Sequence, residues 1–406
     1  MSKTRRILWV KTGPLHPLDT GGKLRTYNLL KELASRHRVT FLALADQNGS
    51  TGGKGPAEDY CSSRIEVPWK EPRSRGGALF FHLLANLFSS LPYAVQKYRS
   101  ARMRDGITGA AASHDLLVCD FLFPAVNMDG NLRIPKLLFQ HNVESTIWER
   151  RYRLQKSPGG RVYFRMQWKR MLRFERETCG IFDGIATVSP KDSETLREGM
   201  RLRNVLGDVP AGVDADFFSP RPQRRRPRQI VFTGSMDWMP NEDAVLYFTR
   251  EIYPRIKAVV PGAEFTVAGR RPSSRLKALQ KADPSIRITG TVEDIRPYMA
   301  SASVMVVPLR IGGGTRIKIF EGMAMGVPVV STSIGAEGLP VTHGGNILLA
   351  DDPGDFARST VSVLKNESLA GKISSDALRL VRARHSWKAV SRIFEDYIAE
   401  TAERYR

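Results

Sequence analysis

Cysteine is nearly absent from this chain of 406 residues. The three present, Cys61, Cys119 and Cys179, lie far apart with no CxxC pair or Cys/His cluster. Neither a disulfide framework nor a structural zinc site is therefore expected, and a reducing cytoplasm is the expected compartment. Long hydrophobic runs are missing too. The start of the chain offers only the apolar run 7–10 after a basic opening, too short for a signal-peptide core or a membrane span. The apolar stretch 79–95 reads as one long helix, shorter than a membrane span, that either packs in the core or faces lipid, and the core is expected. Acidic residues are scarce beside basic ones, 41 Asp and Glu against 62 Lys and Arg, giving a formal net charge of +21. Such a balance attracts anions, whether nucleic acid, lipid headgroups or phosphorylated substrates. No helix-turn-helix, zinc or aromatic-sheet module is recognisable, so no nucleic-acid partner is expected.

With 42% apolar and 25% charged residues, the chain is long enough for two ordinary globular domains. Short apolar runs alternate with helical patterns, as parallel α/β architecture requires. Strands are expected at 7–10, 39–45, 116–120, 136–140 and 184–188, then at 230–233, 264–268, 286–289, 304–307 and 327–331. Helices are expected near 241–260, 273–282, 293–300, 316–325, 353–366 and 368–384, with a last amphipathic one at 387–405. The segment 219–228 is proline-rich, strongly basic and without apolar periodicity, an exposed linker by composition. The boundary is set just before it: a first domain over 1–208 and a second over 209–386, with the partner of the final stretch 387–406 not readable from periodicity.

The most informative window is 308–328, which reads as strand, glycine loop, helix, glycine stop and strand. Gly312, Gly313 and Gly314 ahead of a helix let backbone amides, with that of Thr315, approach a diphosphate closely, where the helix N-terminus adds partial positive charge. Arg316 and Lys318 supply full charges that can stabilise a departing diphosphate, as a divalent metal does elsewhere. Glu321 can accept hydrogen bonds from paired ribose hydroxyls. A tight turn into an ordinary helix is the alternative for this window. Gly21 and Gly22, between a strand and a helix, form a second loop-to-helix anion site. His141 directly follows a strand, where residues of parallel sheets line a ligand crevice.

Seven stretches in order resemble the family-4 glycosyltransferases, retaining enzymes of the GT-B type, and the resemblance covers nearly the whole chain. They are Gly21-Gly22, His141-Asn142, Thr187-Val188-Ser189, the passage from Pro210 to Pro220, Phe232-Thr233-Gly234, Val267-Ala268-Gly269 and the window 308–328. The resemblance implies two Rossmann-like α/β/α domains facing each other across a cleft, with the donor nucleotide on the second, Gly234 and Gly269 in its site, the acceptor on the first, and the last helix, 387–406, crossing back to pack on the first. It also implies retention of anomeric configuration, with His141 orienting the donor sugar. Two departures stand out. Gly313 replaces the first glutamate of the family's paired-glutamate motif, whose second position is Glu321. After Gly234, where relatives carry a basic pair, this chain reads Ser235-Met236-Asp237, so Arg316 and Lys318 are expected to stabilise the leaving group alone.

Asp214-Ala215-Asp216 spells a metal-binding signature of a different transferase class, but no nearby carboxylate or histidine completes a shell, so a turn and a metal-free reaction are expected. The function expected is transfer of a sugar from a nucleotide-diphosphate donor to a glycan or lipid-linked glycan, as in bacterial polysaccharide assembly. A nucleotide-sugar epimerase of the same layout and a degenerate binding subunit are the alternatives. Between Arg150 and Arg176 ten Lys/Arg face one acid, Glu175, interleaved with aromatics. This stretch reads either as a helix on an anionic membrane surface, making the protein peripheral on the inner face of the cytoplasmic membrane, or as a solvated basic face with its aromatics in the core.

Overall fold

The computed structural model describes residues 3–18, 20–46, 57–70, 77–222, 225–311 and 317–405. These divide into two compact units, Met1–Pro210 with Val390–Arg406, and Ala211–Ala389.

The first unit is built on a seven-stranded parallel sheet: β1 (Arg6–Lys11), β2 (Arg38–Asp46), β3 (Ser63–Trp69), β4 (Leu116–Asp120), β5 (Lys136–Phe139), β6 (Gly184–Thr187) and β7 (Val205–Asp208), in the order β3-β2-β1-β4-β5-β6-β7. Both faces of its central strands are buried, which is why they read as continuous apolar runs rather than alternating ones. Leu8, Val10, Leu117, Cys119 and Leu138 enter one core. On the other face the terminal helix Trp387–Arg404 lays Phe394 against Trp9 and Phe139, with ring centroids 5.5 and 5.1 Å apart.

The second unit carries a six-stranded parallel sheet: β8 (Gln229–Thr233), β9 (Glu264–Ala268), β10 (Ile286–Ile288), β11 (Val304–Val307), β12 (Val329–Ser331) and β13 (Leu348–Leu349), ordered β10-β9-β8-β11-β12-β13. In both sheets the order reverses beside the first strand, between β1 and β4 and between β8 and β11. A parallel sheet opens its ligand crevice at the carboxyl ends of the strands flanking such a reversal.

Ten of the thirteen strands coincide with the expected runs; β3, β7 and β13 were not expected. The stretch 79–95 departs most. Its helix stops at Leu87, a short one follows at Tyr93–Gln96 after Pro92, and what is described of the first is inside out. Leu84 and Leu87 are exposed and Phe88 is 94% exposed, while Asn86 is fully buried. Hydrogen bonding explains the inversion: Asn86 accepts from Gln167 at 2.6 Å and donates to the Leu91 carbonyl at 3.0 Å, which draws the polar side inward. The basic stretch is two helices, Glu144–Leu154 and Pro158–Gly180, the second capped by Ser157. Phe164, Trp168 and Phe174 pack on the core, whereas Leu154 and Val162 are exposed. No helix among the described residues is long and apolar enough to cross a membrane. The three cysteines are free and buried, and burial pushes the Cys61 thiol up to about 11, which keeps it unreactive.

Candidate functional site

In the first unit, Lys11 ends β1, Asp120 ends β4 and His141 follows β5, so the order reversal gathers them at one edge of the sheet. Asp120 is fully buried. Its Oδ2 accepts from Lys11 Nζ at 2.7 Å, Thr26 Oγ1 at 2.7 Å and Trp9 Nε1 at 3.0 Å. Burial alone would raise its pKa, but Lys11 and His141 beside it hold the carboxylate far below its ordinary range. His141 Nε2 lies 2.8 Å from Asp120 Oδ1. Its ring stacks on Phe121 at 4.5 Å and leans on Phe139 at 4.4 Å. Burial, with Lys11 and Arg25 adding to it and Asp120 opposing, brings the imidazole down to about 4, so at neutral pH it is uncharged. An uncharged imidazole can hold a hydroxyl but cannot serve as a resident cation.

Gly21 opens the helix Gly21–Ala34, capped by the Thr20 side chain. A Cβ on Gly22 would stand 3.7 Å from His141 Nδ1 and 3.8 Å from Phe121, so any larger side chain there would crowd the histidine. Arg25, on the same helix, is buried and donates to the Val209 carbonyl at 3.0 Å. Burial draws its pKa down to about 10 against the pull of Asp192, Asp120 and Asp208.

In the second unit, Gly234 follows β8 with φ +152° and Gly269 follows β9. A Cβ on Gly269 would land on the Gly234 carbonyl oxygen, so the two loops meet backbone to backbone. Asn241 is buried, donates to the Ser235 carbonyl at 2.9 Å and accepts from Lys318 Nζ at 2.7 Å. Lys318 Nζ also lies 4.4 Å from the centre of the Phe232 ring, a cation over an aromatic face. Helix Ile317–Ala324 buries Ile319, Phe320 and Met323, leaving Lys318 and Glu321, one turn apart, on its other side. Burial lifts Glu321 to about 7, with Lys318 pulling the other way.

Gly234, Gly269 and Lys318 are thus brought together, with Glu321 next along the helix. Gly312, Gly313, Gly314, Thr315 and Arg316 lie outside the described residues. In the first unit Gly22 and His141 meet, with Gly21 adjoining. Sequence reasoning missed Lys11, Thr26, Asp120 and Asn241; the signal for Lys11 and Asp120 was a lone charge closing an apolar strand. Asp214 accepts from the backbone of Asp216 and Phe217 at 3.2 and 2.9 Å, so the Asp-Ala-Asp stretch is a turn. Among the described residues no group of three His, Cys, Asp or Glu is placed to share a metal ion.

This is the GT-B architecture of glycosyltransferases, two Rossmann-like units built on parallel sheets. Residues 227–366 match the family described as glycosyl transferases group 1. Over 401 residues it is 22% identical to an uncharacterized 44.6 kDa protein of the Klebsiella pneumoniae cps region, spanning 96% of this chain and 99% of that one. It is 26% identical over 193 residues to the phosphatidyl-myo-inositol mannosyltransferase of Mycobacterium leprae, covering 45% of this chain and 50% of that protein. Among solved structures, HepE of Anabaena, in complex with UDP, superposes with a TM-score of 0.63 at 13% identity, over 98% of this chain and 100% of that one.

Proposed function

We propose that this chain is a retaining, metal-independent transferase that moves a hexose from a nucleotide-diphosphate sugar to a glycan or lipid-linked glycan. The observation that carries this reading is the meeting of Gly234, Gly269, Asn241 and Lys318 at the order reversal of the second sheet. Close-packed glycine backbone admits a diphosphate, and Lys318 stabilises the charge that grows on it as the bond to the sugar breaks. Glu321 takes the ribose hydroxyls. The sugar C1–O bond to the diphosphate breaks and a C1–O bond to the acceptor hydroxyl forms on the same face, the acceptor proton passing to the leaving phosphate. His141, uncharged, holds a sugar hydroxyl. That a relative carries UDP and another is named for mannosyl transfer to a lipid supports the donor and acceptor classes. With an α-linked donor, NMR of the product should show an α linkage formed at an unchanged rate in EDTA. A β product, or loss of turnover in EDTA, would overturn the reading.

The acceptor's lipid character is supported by an exposed face of the first unit. Phe88, Leu87 and Val162 are exposed there beside a groove of 480 Å³ lined by Arg165, Lys169 and Arg173. Apolar side chains ringed by arginine fit an anionic bilayer surface.

A further inference from the structure

We infer that Arg270 and Arg271 are the cationic pair that grips the donor diphosphate, resting on the nucleotide-diphosphate donor proposed above. The loop after Gly234 carries no base of its own in sequence, yet the fold delivers two from the neighbouring loop. Arg270 Nε donates to Ser235 Oγ at 2.7 Å, and Arg271 Nη1 lies 3.0 Å from Asp237 Oδ2. Ser235 Oγ in turn donates to Asp237, linking four side chains in a row across the two loops.

Three backbone features hold the loops together. Gly269 lies against the Gly234 carbonyl, Met236 N donates to the Arg270 carbonyl at 2.9 Å, and Arg271 adopts left-handed φ of +53°. A non-glycine residue takes that conformation at a cost on the order of 1 kcal/mol or more, and here it turns the guanidinium back toward Asp237. Both arginines are exposed, so a ligand reaches them without rearrangement of the core. A guanidinium suits a diphosphate because its planar fork matches two phosphate oxygens at once. Asp237 is then a stand-in: its carboxylate occupies Arg271 until a diphosphate replaces it.

This arrangement makes opposite predictions for the two ends of one ion pair. If the Arg271–Asp237 bridge were only structural, Arg271→Ala and Asp237→Asn would act alike. If Arg271 binds diphosphate, Arg271→Ala weakens binding and Asp237→Asn leaves it equal or tighter. Calorimetric titration of the full chain with UDP, GDP and ADP, and with the matching nucleosides, decides the matter. Arg270→Ala and Arg271→Ala should each weaken the preferred nucleoside diphosphate about tenfold, as loss of a charge-assisted hydrogen bond does. Binding of the nucleoside should not change, and the salt dependence of diphosphate binding should flatten. Unliganded melting temperatures within a degree or so of wild type verify folding, and Arg271→Lys should recover part of the affinity. Wild-type-like diphosphate binding by both alanine variants, or parallel losses in Arg271→Ala and Asp237→Asn, overturns the inference and leaves the donor reading standing. No nucleotide binding by the wild type overturns the donor reading itself, and this inference with it.

Discussion

Lys318 Nζ and Asn241 Oδ1 stand 2.7 Å apart although 77 residues separate them in the chain. The bond fixes a cation at the end of β8, against the face of the Phe232 ring. Lys318→Ala should therefore lower kcat by about 10²–10³, the usual cost of deleting one donor to a developing negative charge, with a smaller change in KM for the donor. Steady-state kinetics at saturating acceptor measures this. A rise in KM with kcat unchanged would mean that Lys318 only binds.

Gly269 has no room for a methyl group, because the Gly234 carbonyl occupies the place. Gly269→Ala should cost about 3 kcal/mol of stability or more, in the range of backbone clashes in packed sites. Chemical unfolding measures it. Alanine at Gly13, whose Cβ would meet nothing within 4 Å, is the control and should be near neutral.

Two buried groups bend stability with pH in opposite senses. His141 falls to about 4 when folded, so between about pH 6.5 and 4 the unfolded chain binds the extra proton and acid destabilises the fold. Glu144, raised to about 7 by burial and by Glu175, binds its proton more tightly when folded, so stability is lost as pH rises from about 4.5 to 7. Glu144→Gln should therefore stabilise the protein at pH 8, by up to about 3 kcal/mol, and hardly at pH 4. His141→Phe should reduce the destabilisation seen on acidification from pH 6.5 to 4. Unfolding free energies across pH 4–8 check both signs.

The bilayer reading predicts that Phe88→Asp, on a side chain that packs on almost nothing, removes most binding to anionic vesicles without lowering the melting temperature. Charge reversal at Arg165, Lys169 and Arg173 should do the same. Flotation measures it; equal recovery on neutral and anionic vesicles contradicts the electrostatic part.

The central strands were legible because burial on both faces writes them as unbroken apolar runs, as in Leu116–Asp120 and Val304–Val307. Strand β3 was not, since at the sheet edge its Arg64 and Glu66 face solvent and only Val67 is fully buried. The inside-out helix ending at Leu87 was misjudged for a related reason: composition reports apolar content, whereas its orientation is decided by Gln167, 81 residues from Asn86. His141, Gly22, Gly234 and Gly269 were found because each sits at a strand end with recognisable neighbours. Lys11 with Asp120, and Arg270 with Ser235, were not, because their meeting depends on which strands lie side by side.

The most direct test is a thermal-shift panel of UDP, GDP and ADP and their sugar conjugates, each with and without EDTA, since a ligand that binds only the native state must raise its melting temperature. A selective rise with one nucleotide family, unchanged by EDTA, is the predicted result. No shift with any of them at millimolar concentration would contradict a nucleotide-diphosphate donor site in this protein.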